Sequence, residues 1–152
     1  MANIRIKKKY ANLVDDCSRG VDAPFKTIAQ LVCFCAMYAF NKSAKIVSSK
    51  VTGGQEVRDT ILNDVHYTQQ IEMLAVAHTK KPEILLDNDE TKDKRYKIFE
   101  DYVNAGLELL KEKKDKNPLD ANGLDTVLGI LREQTKDNLN PLVNEGMGDP
   151  DF

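Results

Sequence analysis

The sequence predicts a mainly α-helical protein: a compact single-domain bundle of about five helices around a central apolar helix. Three observations predict it. The ten-residue run Leu31 to Phe40 is apolar on every side of a helix, which belongs at the centre of a fold. The segment Thr91 to Lys114 carries two adjoining apolar stripes at helical spacing. The chain is 152 residues long and 41% hydrophobic, one domain's length and enough to bury a core without metal or disulfide staples.

Taken in order, the first element is a helix from Lys8 to Cys17, with Tyr10, Leu13, Val14 and Cys17 on one face and Gly20 as its stop. Arg5, Lys7, Lys8 and Lys9 stand at its entrance, where cations oppose the helix dipole. They form either a solubilising arm or an anion-contacting one. Thr27-Ile28-Ala29-Gln30 matches a capping box and opens the central helix, which ends in the polar residues Asn41 to Ser49. In the next stretch, Val51 and Val57 flank Gly53-Gly54, a pair that can turn a short β-hairpin near residues 45–61; an irregular loop is the alternative.

Tyr67, Ile71, Leu74 and His78 then predict a helix over Asp64 to Thr79, and Pro82 opens a short turn through Leu86. In the Thr91 to Lys114 helix one stripe is Tyr96, Phe99, Val103, Leu107 and Leu110, and the other is Ile98, Tyr102, Ala105 and Leu109. Gly106 inside it costs about 1 kcal/mol relative to Ala, so close approach of another backbone is the expected reason for it. Asn117-Pro118 ends this helix, and Leu124, Val127, Leu128 and Leu131 line a last one. The domain is expected to occupy residues 1–136. From Asp137 onward there are four acids, no bases, two prolines and two glycines, the composition of a flexible acidic tail over 137–152.

Cys17, Cys33 and Cys35 are an odd number, and two residues of separation sends Cys33 and Cys35 to nearly opposite sides of a helix. They suit neither a disulfide nor a shared metal, and read as small buried hydrophobes in a reducing compartment. The N-terminus lacks a signal-peptide core, and the longest apolar run is half a membrane span, so a cytoplasmic protein without membrane contact is expected. Net charge is −2 but uneven: residues 1–60 hold ten Lys or Arg against five Asp or Glu (+5), and residues 61–152 hold twelve against nineteen (−7). A basic front half suits nucleic acid or an acidic partner, or is a solvated surface.

No motif commits the chain to chemistry. Asp87-Asn88-Asp89-Glu90-Thr91 begins like a calcium loop, but Lys92 replaces the required glycine and Ile98 the closing glutamate. The cluster reads better as a helix N-terminus. His66 and His78 have no Cys or second His at ligand spacing, and His78 is expected to make a hydrogen bond at the edge of the core. Glu112-Lys113-Lys114 resembles a fragment of a nuclease signature, but reads better as a solvated helix face. Phosphate-cradling glycine loops and a nucleophile elbow are absent. No cofactor, no metal and no catalytic residue is expected, and the chain is not expected to be an enzyme.

Two segments together resemble a known family. One is Pro24-Phe25-Lys26-Thr27 with the apolar helix to Phe40. The other runs through Ile71 to His78 and Ile84-Leu85 to Lys97-Ile98-Phe99 and Glu100-Asp101-Tyr102-Val103-Asn104-Ala105-Gly106-Leu107-Glu108, its most specific part. The pattern spans about residues 5–115 and is similar to the small DNA-phosphorothioation-associated proteins, Dnd-system-associated protein four. It departs from that pattern at Val103, where the family has Ala, and at Ala105, where it has Gly. The resemblance implies a setting beside prokaryotic systems that put sulfur into the DNA backbone and restrict unmodified DNA, an anti-phage defence. It brings no catalytic residues.

A small chain without chemistry in that setting is expected to be a non-enzymatic accessory subunit that docks on larger defence-system proteins. The alternative is a DNA-binding regulator using Arg5, Lys7, Lys8, Lys9, Lys42, Lys45, Lys50 and Arg58. Weak DNA contact is expected of it, because no helix carries an Arg, Asn and Gln pattern toward base edges.

Overall fold

The computed structural model describes residues 3–147, with side chains described for residues 3–136. Among these, six α-helices, two single 3₁₀ turns and one two-stranded antiparallel ribbon make a mainly α fold. The helices are α1 (Ala11–Ser18), α2 (Ile28–Asn41), α3 (Asp59–Leu62), α4 (Val65–Thr79), α5 (Asp89–Asp115) and α6 (Leu124–Met147); the strands are β1 (Ile4–Ile6) and β2 (Gln55–Val57).

The central helix forms as its residues dictate. Thr27 caps α2, its Oγ1 accepting from the Gln30 N–H at 3.2 Å, while Gln30 reaches back to accept from the Lys26 N–H at 3.0 Å. Leu31, Val32, Cys33, Cys35, Ala36, Tyr38 and Ala39 are all buried, and within the run Leu31 to Phe40 only the line Phe34, Met37 and Phe40 is partly open. The thiols are free. Burial pushes the pKa of Cys17 up to about 11 and that of Cys33 up to about 12, and raises that of Cys35 as well. All three are therefore protonated hydrophobes at neutral pH.

Helix α5 is the spine of the molecule, about 40 Å long at 1.5 Å per residue. Asn88 caps it by accepting from the Thr91 N–H at 2.9 Å, and Asp89 and Glu90 fill its first turn, so the acidic cluster there is a helix start. Its most extensive packing is against α2, and it also touches α4, α6 and β1. The crossing with α2 is set by Gly106: a Cβ there would lie 1.9 Å from the Cys35 carbonyl oxygen and 2.4 Å from its carbon. Close backbone approach is therefore the reason for a glycine within this helix.

Around this pair the periphery is tied down by polar bonds. Arg95 is buried and donates to the carbonyls of Ile84 at 2.8 Å and Leu86 at 3.1 Å, fixing the 3₁₀ turn Pro82–Leu85 to α5. Lys113 pairs with Glu133 of α6 at 2.9 Å and Lys114 with Asp16 of α1 at 3.4 Å, so the Glu112-Lys113-Lys114 triplet bridges helices. Asp120 caps α6, accepting from the Thr126 N–H at 2.8 Å, the Thr126 hydroxyl at 2.6 Å and the Asp125 N–H at 3.3 Å. Burial acts to raise its pKa, but the three hydrogen bonds and Lys114 outweigh that and hold it below the usual aspartate value.

The ribbon is assembled differently from a local hairpin. Within residues 45–61 only Gln55–Val57 is a strand, and its partner is Ile4–Ile6, with Ile4 opposite Val57 and Ile6 opposite Gln55. Gly53-Gly54 lays the chain on the N-terminal strand rather than turning it back on Val51. Gly54 has φ +76°, and a Cβ there would meet the Ile6 carbonyl oxygen at 2.0 Å. Ile4 and Ile6 are fully buried with Arg5 exposed between them, a two-residue alternation over too few positions to be read in the sequence. The short helix α3 follows the ribbon directly.

Helix α6 begins where the last apolar stripe was expected, but its backbone stays helical to Met147, through Pro141. The expected acidic tail, 137–152, lies outside the residues whose side chains are described.

Candidate functional site

The eight basic residues nominated from the sequence fall into two groups. Lys7, Lys9 and Lys45 line one groove of about 200 Å³ with Tyr10, Val47 and Asn104 among its walls. Arg5 and Lys50 line a second, of about 470 Å³, together with Ser48, Thr52 and Lys97. The two grooves share Ser49 and Val51, so they form one face. Lys8 lies beside them with its side chain over Gly53. Lys42, at the C-cap of α2, and Arg58, at the N-cap of α3, are exposed and line neither groove.

Cations from residues 5–9 and 45–50 meet because α5 holds both segments. The strand β1 pairs with β2 on one edge, and side chains of α5 satisfy the other. Glu100 accepts from the Arg5 N–H at 2.8 Å. Asn104 accepts from the Lys7 N–H at 3.0 Å and donates to the Arg5 carbonyl at 3.0 Å, so one amide does the work of a third strand. Lys97 anchors the segment after α2 by donating to the Ser49 carbonyl, and it sits 2.8 Å from Glu100 and 3.2 Å from Asp101. Burial acts to lower the pKa of Lys97, but the two carboxylates outweigh it and hold the ammonium above the ordinary lysine value.

The carboxylates of the face are thereby occupied. Glu108 accepts from the Tyr10 hydroxyl and pairs with Lys9 at 3.3 Å, and the Tyr10 hydrogen bond, with Lys9 beside it, holds its pKa below the usual glutamate value. Arg5 lies 3.9 Å from Glu56, an exposed and weak pair. Lys7, Lys8, Lys45 and Lys50 have no carboxylate within 4.0 Å among the described residues.

The other candidates have structural parts to play. His78 Nδ1 lies 2.9 Å from the Tyr102 hydroxyl, with the two rings edge to face, as expected of a histidine at the rim of the core. His66 contributes its backbone N–H to the Asp64 cap of α4 at 2.9 Å. Among the described residues, no group of three or more His, Cys, Asp and Glu side chains is placed to hold a metal ion. No helix among them is long and apolar enough to cross a membrane.

The segment Glu100 to Glu108 thus holds the N-terminal arm at three points and seats α2 at Gly106, and it is also the most specific part of the family resemblance. A family model described as DNA sulphur modification system-associated protein 4 matches residues 3–143. The chain belongs to this family. No curated protein and no solved structure matches it significantly. For this member of the family, the stretch that carries the resemblance is architectural: Glu100, Asn104 and Glu108 spend their polar atoms on β1, Lys7, Lys9 and Tyr10.

One surface escaped the sequence reading. Leu124, Leu128 and Leu131 recur at helical spacing and were grouped with Val127 as the apolar face of the last helix. Among the described residues, Val127 and Ile130 are the apolar side chains that α6 buries, with Thr126 beside them; Leu124, Leu128 and Leu131 remain 37%, 38% and 44% exposed. A largely apolar groove of about 460 Å³ runs along Leu128, Leu131 and Thr135, with Arg132, Glu133 and Lys136 at its rim. The five apolar positions span too wide an arc for one interface, the only hint the sequence held.

Proposed function

We propose that this protein is a non-enzymatic accessory subunit that docks on larger proteins of its DNA sulphur modification system, in the cytoplasm, in the service of anti-phage modification and restriction. The observation that carries this reading is the leucine stripe of α6. A helix whose second apolar face is left in solvent is built to be covered. Three leucines, each already more than half buried, offer roughly 2–3 kcal/mol on full burial, or about a hundredfold in affinity. Arg132, Glu133 and Lys136 give such an interface a mixed polar rim. The family membership supplies the class of partner, and the internal use of Glu100, Asn104, Glu108 and His78 favours contact over chemistry.

The test is affinity purification of the tagged chain from its native host, with the co-purifying proteins identified. Other proteins of the sulphur modification system are expected with the wild type and are expected to be lost with Leu128→Asp/Leu131→Asp. Capture unchanged by that variant would refute α6 as the docking surface, and absence of any system protein would refute the reading itself.

A further inference from the structure

We infer that the face formed by β1, the segment 45–52 and the middle of α5 binds the phosphodiester backbone of duplex DNA, without reading its sequence. The carboxylates on the face are already engaged: Glu100 by the Arg5 N–H and Lys97, Asp101 by Lys97, and Glu108 by Tyr10 and Lys9. What remains is a surplus of cationic side chains. Lys7, Lys8, Lys45 and Lys50 have no ion-pair partner among the described residues, and they come from two segments some forty residues apart that the fold brings together. Between Lys45 and Gly53 no backbone N–H donates to a backbone carbonyl among the described residues, and Ser48, Ser49 and Thr52 add hydroxyls beside them.

Seven cations, Arg5, Lys7, Lys8, Lys9, Lys45, Lys50 and Lys97, share the face with three carboxylates, Glu100, Asp101 and Glu108, and such an excess of like charge is relieved by an anion. Lysines, hydroxyls and free backbone N–H groups are the donors that proteins turn toward DNA phosphates. Two features favour a nucleic-acid backbone over an acidic protein segment. The lining offers no exposed aromatic anchor, since Tyr10 is buried and bonded to Glu108, and aromatic anchors are what protein interfaces lean on. The family to which the chain belongs is named for a system that acts on DNA. The same lack of exposed aromatic, Asn or Gln side chains at the groove mouth leaves nothing to distinguish one base from another.

Four unpaired lysines set the scale. Neutralising about four phosphates gives a slope near −3.6 in log affinity against log salt, so affinity should fall about a hundredfold between about 50 and 200 mM salt. Binding is therefore measurable at low salt and weak at physiological salt. The experiment is fluorescence anisotropy of the full chain with two labelled duplexes of unrelated sequence, across that salt range. A glutamate homopolymer of matched charge serves as the non-nucleic-acid probe.

Both duplexes should bind alike. Lys7→Ala/Lys8→Ala/Lys45→Ala/Lys50→Ala should bind at least tenfold more weakly at about 50 mM salt and flatten the slope by about 3.6 units. A control, Lys26→Ala/Lys81→Ala/Lys94→Ala/Lys116→Ala, removes the same charge from exposed positions that line neither groove and should change the slope by less than one unit. Unchanged melting of both variants confirms that the fold is intact. The inference is overturned by no duplex binding at low salt, by equal losses in the two variants, by a strong preference between the duplexes, or by tighter binding of the glutamate polymer.

Discussion

Asn104 is the residue on which the N-terminal arm depends most. Its amide group bonds to both the Lys7 N–H and the Arg5 carbonyl, and also donates to the Glu100 carbonyl one turn earlier. Asn104→Ala strands two backbone groups at a part-buried strand edge and should cost about 2–3 kcal/mol in denaturant unfolding. The Lys7 amide should lose its protection from hydrogen exchange in the same variant; protection equal to wild type would mean that β1 is held by β2 alone. Asp120 makes a second test, by pH. Its folded pKa lies below the unfolded one, so the stabilisation it gives is complete above the usual aspartate range and is lost as pH falls through the depressed folded value. Asp120→Ala should therefore cost about 1–2 kcal/mol at neutral pH, with the gap from wild type narrowing below about pH 4. A gap independent of pH would show that packing, not the carboxylate, makes the cap.

At the scale of elements, the crossing of α2 and α5 decides whether the bundle closes. Gly106→Ala places a methyl group inside van der Waals contact of the Cys35 backbone, where no side-chain rotation relieves it. The helices must separate, and the loss should be about 3 kcal/mol or more by denaturant unfolding. A variant as stable as wild type would contradict the geometry of this crossing. Leu31→Asp, which buries an unpaired charge at a fully buried site, should be as severe. These two positions also show what could be read in advance. The apolar run around Leu31 and a glycine inside a long amphipathic helix are local signals, and α1, α2, α4 and α5 follow from signals of that kind. The ribbon does not. Its strands stand fifty residues apart, each has three residues, and their pairing depends on Glu100 and Asn104 closing the far edge of β1. A glycine pair that resembles a hairpin turn served instead to bring Gly54 against the Ile6 carbonyl.

For the whole molecule, the same division runs through the candidate site. The basic residues were legible as residue types, and their convergence was not, because it depends on the path of the chain from Ala44 to Gly54 across α5. Five of the eight line the two grooves and Lys8 borders them; Lys42 and Arg58 do not join them. The leucine stripe of α6 was legible as part of an apolar helix face but not as an exposed one, since periodicity alone does not say which of two apolar arcs meets the domain. On the proposed reading, this family member works through contact, by that stripe, and not through catalysis by its own side chains. Complementation of a host lacking the chain tests this most directly, reading the sulphur content of the DNA and the restriction of incoming DNA. Full function is predicted for His66→Ala and for His78→Gln, the titratable side chains best suited to acid–base chemistry, and loss of function for Leu128→Asp/Leu131→Asp with its fold intact. Loss of function in a correctly folded histidine variant, with the leucine variant fully active, would contradict the account.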